Sequence, residues 1–168
     1  LMDKDPQAVM AVLTADHIIE NTELFHQLLR RGRENAQQDH LVTIGIEPTY
    51  PATGYGYIFS GEALPDEKSH KVQKFVEKPD LETAKSYLES GKYFWNSGMF
   101  IWKAVTIMAE FRRQMPELDE ILGEIRKHIG NGDDRKFIPE IWQTIQPQTI
   151  DYGIMEHAQD VVVLPAKE

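Results

Sequence analysis

Four short segments of the sequence gather side chains able to bind or move charged groups. In Leu13-Thr14-Ala15-Asp16-His17 a carboxylate and an imidazole follow an apolar run. Such a carboxylate could hold Mg²⁺, which takes oxygen ligands and bridges phosphate oxygens. Equally, Asp16 could cap a turn and His17 bond to backbone, since one carboxylate is not a metal site by spacing. Pro51-Ala52-Thr53-Gly54-Tyr55-Gly56-Tyr57 offers glycines whose backbone can approach a ligand without a side chain in the way, or can simply make a tight turn. Its spacing is not G-x-G-x-x-G, which excludes a dinucleotide loop there. Phe75-Val76-Glu77-Lys78-Pro79 sets an acid beside a base. Glu77 could accept two hydroxyls while Lys78 neutralises a phosphate, or the two could form a solvated pair before a proline turn. Finally, Phe94-Trp95-Asn96-Ser97-Gly98-Met99-Phe100 places an amide and small residues among aromatics. Asn96 can donate and accept, Gly98 leaves room, and Trp95, Phe100 and Trp102 read as core.

The positioning elements alternate between strand and helix patterns. The unbroken apolar run Val9–Leu13 reads as a strand covered on both faces in a parallel sheet, and so as the most buried strand. A helix follows, capped by Asn21 or Thr22, with a stripe of Leu24, Phe25, Leu28 and Leu29 and an end near Gly32. Leu41–Ile46 is a second buried strand, and Pro48–Tyr57 is too rich in turn formers for regular structure. Lys71–Glu77 is a strand stopped by Pro79, after which Asp80 caps a helix with Leu81, Ala84 and Leu88 inside and Gly91 at its end. Met99–Trp102 is a brief strand, and Val105, Met108 and Phe111 show helical spacing up to Pro116. Leu118, Ile121, Leu122, Ile125 and Ile129 mark an amphipathic helix that could pack within the chain or against a second copy, leaving a homo-oligomer open. A turn over residues 131–134, helices over Phe137–Ile145 and Thr149–Ala158, and a strand Val161–Leu164 complete the pattern. The expected fold class is α/β: one domain over residues 1–168 built on an open, mostly parallel sheet with helices on both faces. In such sheets ligands bind beyond the carboxyl ends of the strands.

Composition narrows the chemistry. With 168 residues, 41% hydrophobic and 27% charged, the chain can bury a real core. It has no cysteine, which removes disulfides, thiolate metal sites and cysteine nucleophiles. The net charge of −9 opposes binding to nucleic acid polymers or anionic membranes, so a phosphate ligand needs local cations or a metal. No apolar run approaches the ~20 residues of a membrane span, and the first residues lack a secretory pattern, so the expected location is cytoplasmic. A chain starting at Leu1 and stopping just after an apolar run is expected to be part of something longer.

In this order, VLTADH, PTYPATGYGYI, FVEKP, YFWNSGMFIWK and TIDYGIMEHAQDVVVLPA resemble the sugar-1-phosphate nucleotidyltransferases, and among them the bacterial mannose-1-phosphate guanylyltransferases. The resemblance spans nearly the whole chain, although each segment alone is weak. It implies a Rossmann-like fold and transfer of GMP from GTP to mannose 1-phosphate, giving GDP-mannose and pyrophosphate. It implies that Asp16 holds Mg²⁺ with His17 near the nucleotide, that the Gly56 backbone meets the sugar, that Glu77 accepts its hydroxyls, that Lys78 contacts its phosphate and that Asn96 lies at the sugar. Asp16 and Lys78 would be the catalytic groups, whereas Asp151 and Glu156 would serve as structural support. Thr14 and Thr149 replace the family's usual proline and serine. The family's N-terminal glycine-rich loop, with its Arg and Lys, and its later GWSDVGSW-like stretch, with a second metal-binding Asp, have no counterpart among these residues. The resemblance thus covers the central portion, and the stretch alone is expected to be weak or inactive. A noncatalytic sugar-phosphate module, or a transferase for another sugar or base, are the competing expectations.

Overall fold

The computed structural model describes residues 1–130 and 134–166, which divide into two compact units. The first runs from Leu1 to Thr106 and takes in the C-terminal stretch from Gln159; the second is Ile107–Ala158. No helix among the described residues is long and apolar enough to cross a membrane.

The first unit contains β1 (Val9–Val12), α1 (Thr22–Gln37), β2 (Leu41–Ile46), β3 (Tyr57–Ala63), β4 (His70–Val76), α2 (Leu81–Ser90), β5 (Tyr93–Lys103) and β6 (Val161–Ala166). The strands form a mixed sheet in the order β1-β5-β2-β6-β4-β3, with a further β3–β5 pairing. That pairing closes β5, β2, β6, β4 and β3 into a small barrel-like ring, leaving β1 attached outside on β5. Among the described residues only β2 and β6 run parallel, and every other pair is antiparallel. The α/β class holds, but the expected open, mostly parallel sheet does not. Alternating strand and helix patterns imply crossovers only where each helix links neighbouring parallel strands, and here β3 and β4 pair directly through a turn.

Asn21 caps α1 by accepting from the Leu24 N–H at 3.0 Å. The Leu24, Phe25, Leu28 and Leu29 stripe packs on Val42, Ile44, Ile101, Val162 and Leu164. Gly32 does not end this helix. It lies buried inside it, where a Cβ would overlap Ile101 Cδ1, so glycine serves close approach of helix to sheet. β1 departs further from expectation: Val12 is 41% exposed and Leu13 47%, because β1 is an outer strand and not the central one. The true centre is β2, five of whose six residues are buried. Asp80 and Gly91 cap α2 as expected, but Leu81 is exposed, and Ala84 with Tyr87 makes the inner face against Tyr57 and Trp95. β5 is eleven residues long, not a short Met99–Trp102 strand, and β3 was not expected at all. A hydroxyl, a glycine and an acid in YIFSGEA disguise a strand that earns its place through pairing on both sides.

In the second unit α3 (Ala104–Gln114), entered from the first, precedes α4 (Pro116–His128) and α5 (Asp134–Trp142), the last two packed together. Pro116 sits in the first turn of α4, where its missing N–H is harmless. Residues 131–133 of the expected turn lie outside the described residues. α5 starts three residues before the expected Phe137 and stops at Trp142. The expected Thr149–Ala158 helix shrinks to a π-helical turn, Asp151–Met155. Gly153 at its middle weakens helix propensity, and a Cβ there would meet Met115 Sδ at 2.7 Å.

Candidate functional site

Antiparallel pairing sets the first group of side chains. β3 and β4 pair Tyr57 with Val76, so Gly56 and Glu77 are the next residues on each strand beyond the ladder. β3 and β5 pair Tyr57 with Trp95, and the Asn96 N–H donates to the Gly56 carbonyl at 2.8 Å. A Cβ added to Gly56 would lie 2.6 Å from Glu77 Oε2 and 3.6 Å from Asn96 Cβ. Gly56, Glu77 and Asn96 are therefore mutual neighbours, and the missing Cβ of Gly56 makes room for the Glu77 carboxylate.

Lys78 joins them through its backbone. Its φ of 41° is left-handed, an uncommon conformation for a residue with a Cβ and one that stores about 1–3 kcal/mol of strain. The turn leaves Lys78 Nζ 3.6 Å from Glu77 Oε1 although neighbouring strand residues normally diverge. The lysine side chain is 64% exposed and that of Glu77 24%, so the ammonium is open to a ligand while the carboxylate is partly sheltered. Pro79 is buried immediately afterwards, and Asp80 accepts from the Thr83 N–H at 2.8 Å to start α2. That N–H holds the Asp80 carboxyl below the usual carboxylate range.

Asn96 sits at an interruption of β5. Opposite the two β2 residues that follow Thr43, β5 spends four, because the register shifts from Thr43↔Phe100 to Gly45↔Asn96. The bulge Ser97-Gly98-Met99 is satisfied by side chains: Ser97 Oγ donates to the Ile44 carbonyl at 2.6 Å and accepts from the Met99 N–H at 3.2 Å. Asn96 Oδ1 accepts from the Gly98 N–H at 3.2 Å and from Thr43 Oγ at 3.4 Å. Gly98 supplies the left-handed φ of 69°.

Asp16 and His17 lie elsewhere, exposed on the loop after β1 in a cleft of about 920 Å³. Leu24, Phe25, Leu28, Ile44 and Met99 line the cleft together with Glu47. Gly56, Glu77, Lys78 and Asn96 are not among its lining residues, whereas Met99 of the β5 bulge is, and Gly98 lies beside Thr14. No cluster of three or more His, Asp or Glu among the described residues could cage a metal. Mg²⁺ needs no such cage: it keeps several waters and takes one or two carboxylates with substrate phosphates, which a single exposed Asp16 fits. Sequence reasoning missed Thr43 and Ser97. Both are hydroxyls buried in apolar strands, and that mismatch of polarity and position was their only signal.

A family model described as nucleotidyl transferase matches residues 1–143. A mannose-1-phosphate guanylyltransferase of Klebsiella pneumoniae is 43% identical over 93% of this chain, and one of Escherichia coli is 42% identical over the same share. The chain spans about a third of those relatives, 34% of each. A crystal structure of a Thermus thermophilus protein named mannose-1-phosphate geranyltransferase superposes with a TM-score of 0.84 at 31% identity, covering 95% of this chain and 44% of that one. A Helicobacter pylori protein named mannose-6-phosphate isomerase shares the fold, with a TM-score of 0.82 at 24% identity, covering 98% of this chain and 64% of that one.

Proposed function

Because this chain belongs to the nucleotidyl transferase family, we propose that it forms the sugar-phosphate side of a mannose-1-phosphate guanylyltransferase acting in the cytoplasm. In that reaction a phosphate oxygen of mannose 1-phosphate attacks the α-phosphorus of GTP, and pyrophosphate leaves. No covalent protein intermediate is needed. The protein's task is to bring two anions together and offset their charge.

The observation that carries this reading is the meeting of Gly56, Glu77 and Asn96 beside the Lys78 ammonium. A carboxylate accepts hydroxyl protons and an amide donates to hydroxyl oxygens, and the missing Gly56 side chain lets the carboxylate stand beside the amide: together they suit a hexose. Lys78, one residue from Glu77, reaches the phosphate on the same ligand. Asp16 would hold Mg²⁺ at the neighbouring cleft, with His17 near the nucleotide. The metal, when bound, supplies charge neutralisation on the phosphate oxygens.

Calorimetry with mannose 1-phosphate, glucose 1-phosphate, GTP and ATP, each with and without Mg²⁺, tests the proposal. Mannose 1-phosphate should bind and Lys78→Ala should weaken it. Pyrophosphate release from mannose 1-phosphate and GTP then separates the enzyme from a binding module. Saturable sugar-phosphate binding without turnover favours the module, and absence of binding to any of the four ligands removes the proposal.

A further inference from the structure

The bulge in β5 interrupts a ladder at the centre of the sheet, where an unpaired polar group is costly. Ile44 is 1% exposed, and the shifted register around it is met by the Ser97 hydroxyl, which donates to its carbonyl at 2.6 Å. Ser97 is itself 5% exposed and Thr43 fully buried, so neither can touch a ligand in the solvent-facing space. Their bonds nonetheless converge on Asn96. Ser97 fixes the bulge that brings the Gly98 N–H to Asn96 Oδ1, and Thr43 Oγ donates to the same oxygen. A carbonyl oxygen has two acceptor sites, and both are filled from inside the protein.

We propose that Ser97 and Thr43 are positioning residues that lock the Asn96 amide in one orientation, so that it meets the ligand as a donor. Glu77 then accepts and Asn96 donates, which recognises a hydroxyl able to do both. Without the lock the amide could rotate about its last bond and offer an acceptor beside a carboxylate, an arrangement that repels the oxygen of that hydroxyl. This inference rests on the sugar-phosphate reading of the site.

The test compares Thr43→Val, which keeps the shape, Thr43→Ser, which restores a hydroxyl, and Ser97→Ala. Folding is checked by thermal melting, mannose 1-phosphate binding by calorimetry, and the Asn96 side-chain amide by its proton–nitrogen resonances. Thr43→Val should melt close to the parent protein yet bind about three- to tenfold more weakly, as loss of one oriented hydrogen bond implies. Thr43→Ser should recover most of that loss. In an Asn96→Ala background, Thr43→Val should cause no further loss. Parent-like binding by folded Thr43→Val and Ser97→Ala overturns the positioning role while leaving the sugar site intact. If the parent protein does not bind mannose 1-phosphate, the sugar reading falls. The lock is then judged by the Asn96 resonances alone: displacement in Thr43→Val and return in Thr43→Ser support it, and identical spectra overturn it.

Discussion

At Gly56 the distinction between stability and function is sharp enough to measure. The backbone there does not need glycine's left-handed freedom, and the nearest atom to an added Cβ is Glu77 Oε2, the end of a flexible side chain. Gly56→Ala should therefore fold normally while pushing the Glu77 carboxylate aside. We expect a melting temperature within a few degrees of the parent and loss of measurable mannose 1-phosphate binding in calorimetry; unchanged affinity would show that Glu77 does not meet the sugar. Lys78→Ala should act differently, weakening affinity or turnover through the phosphate, and an unchanged rate at saturating substrate would take the ammonium out of the reaction. These residues were readable from sequence because each is chemically out of place: an acid and base at a strand end, an amide among aromatics. Their convergence was not readable, since it depends on the β3–β4 and β3–β5 registers and on the left-handed turn at Lys78. Thr43 and Ser97 were hidden for a related reason, as their partners are a backbone carbonyl and an amide fixed only by the bulge.

Between elements, the decisive contact is α1 against β5. Replacing Gly32 by Ala would improve helix propensity by roughly 1 kcal/mol but would press a methyl onto Cδ1 of Ile101, a 2% exposed core residue. Overpacking of this kind costs about 1–3 kcal/mol, so the net expectation is destabilisation. Gly32→Ala should lower the melting temperature, and adding Ile101→Val should restore part of it; a melting temperature at or above the parent's would refute the close-approach reading. A second contact ties the β3–β4 turn to the same helix: Asn35 Nδ2 donates to Ser69 Oγ at 3.1 Å, and the Ser69 hydroxyl donates to Asp66. Burial pushes the Asp66 carboxyl up, but the Ser69 hydroxyl, the N–H groups of Lys68 and Ser69 and the Arg31 charge outweigh it and leave it lowered. A carboxyl lowered on folding contributes stability above its unfolded value, near pH 4, and loses that contribution as pH falls through the lower folded value. The melting-temperature gap between parent and Asp66→Asn should thus be full at neutral pH and close below about pH 4; a gap independent of pH would mean that Asp66 acts by shape alone. Helix caps and apolar stripes were legible because they are local, as at Asn21, Asp80 and Gly91. Strand direction, the edge position of β1 and the existence of β3 were not, because an apolar run such as Val9–Leu13 looks the same in a centre strand and at an edge until its partners are known.

Charge acts on the scale of the whole chain. A net −9 adds a diffuse repulsion between the chain and a sugar phosphate, while the attraction to Lys78 operates at contact distance. Salt separates the two, because the screening length falls from about 30 Å at 0.01 M to about 8 Å at 0.15 M. Over that range the diffuse repulsion is largely removed, whereas an ammonium touching a phosphate is only partly screened. Mannose 1-phosphate affinity should therefore hold steady or rise as salt increases from 0.01 to 0.15 M. Lys78→Ala should bind more weakly at every concentration yet show a steeper rise, since only the repulsive part remains to be screened. Proteins that bind polyanions through extended basic patches show the opposite slope, losing affinity steadily as salt is added. A steep fall in the parent protein would mean that cations outside the Gly56, Glu77, Lys78 and Asn96 group gather the phosphate. A slope unaltered by Lys78→Ala would mean that the ammonium is not its partner.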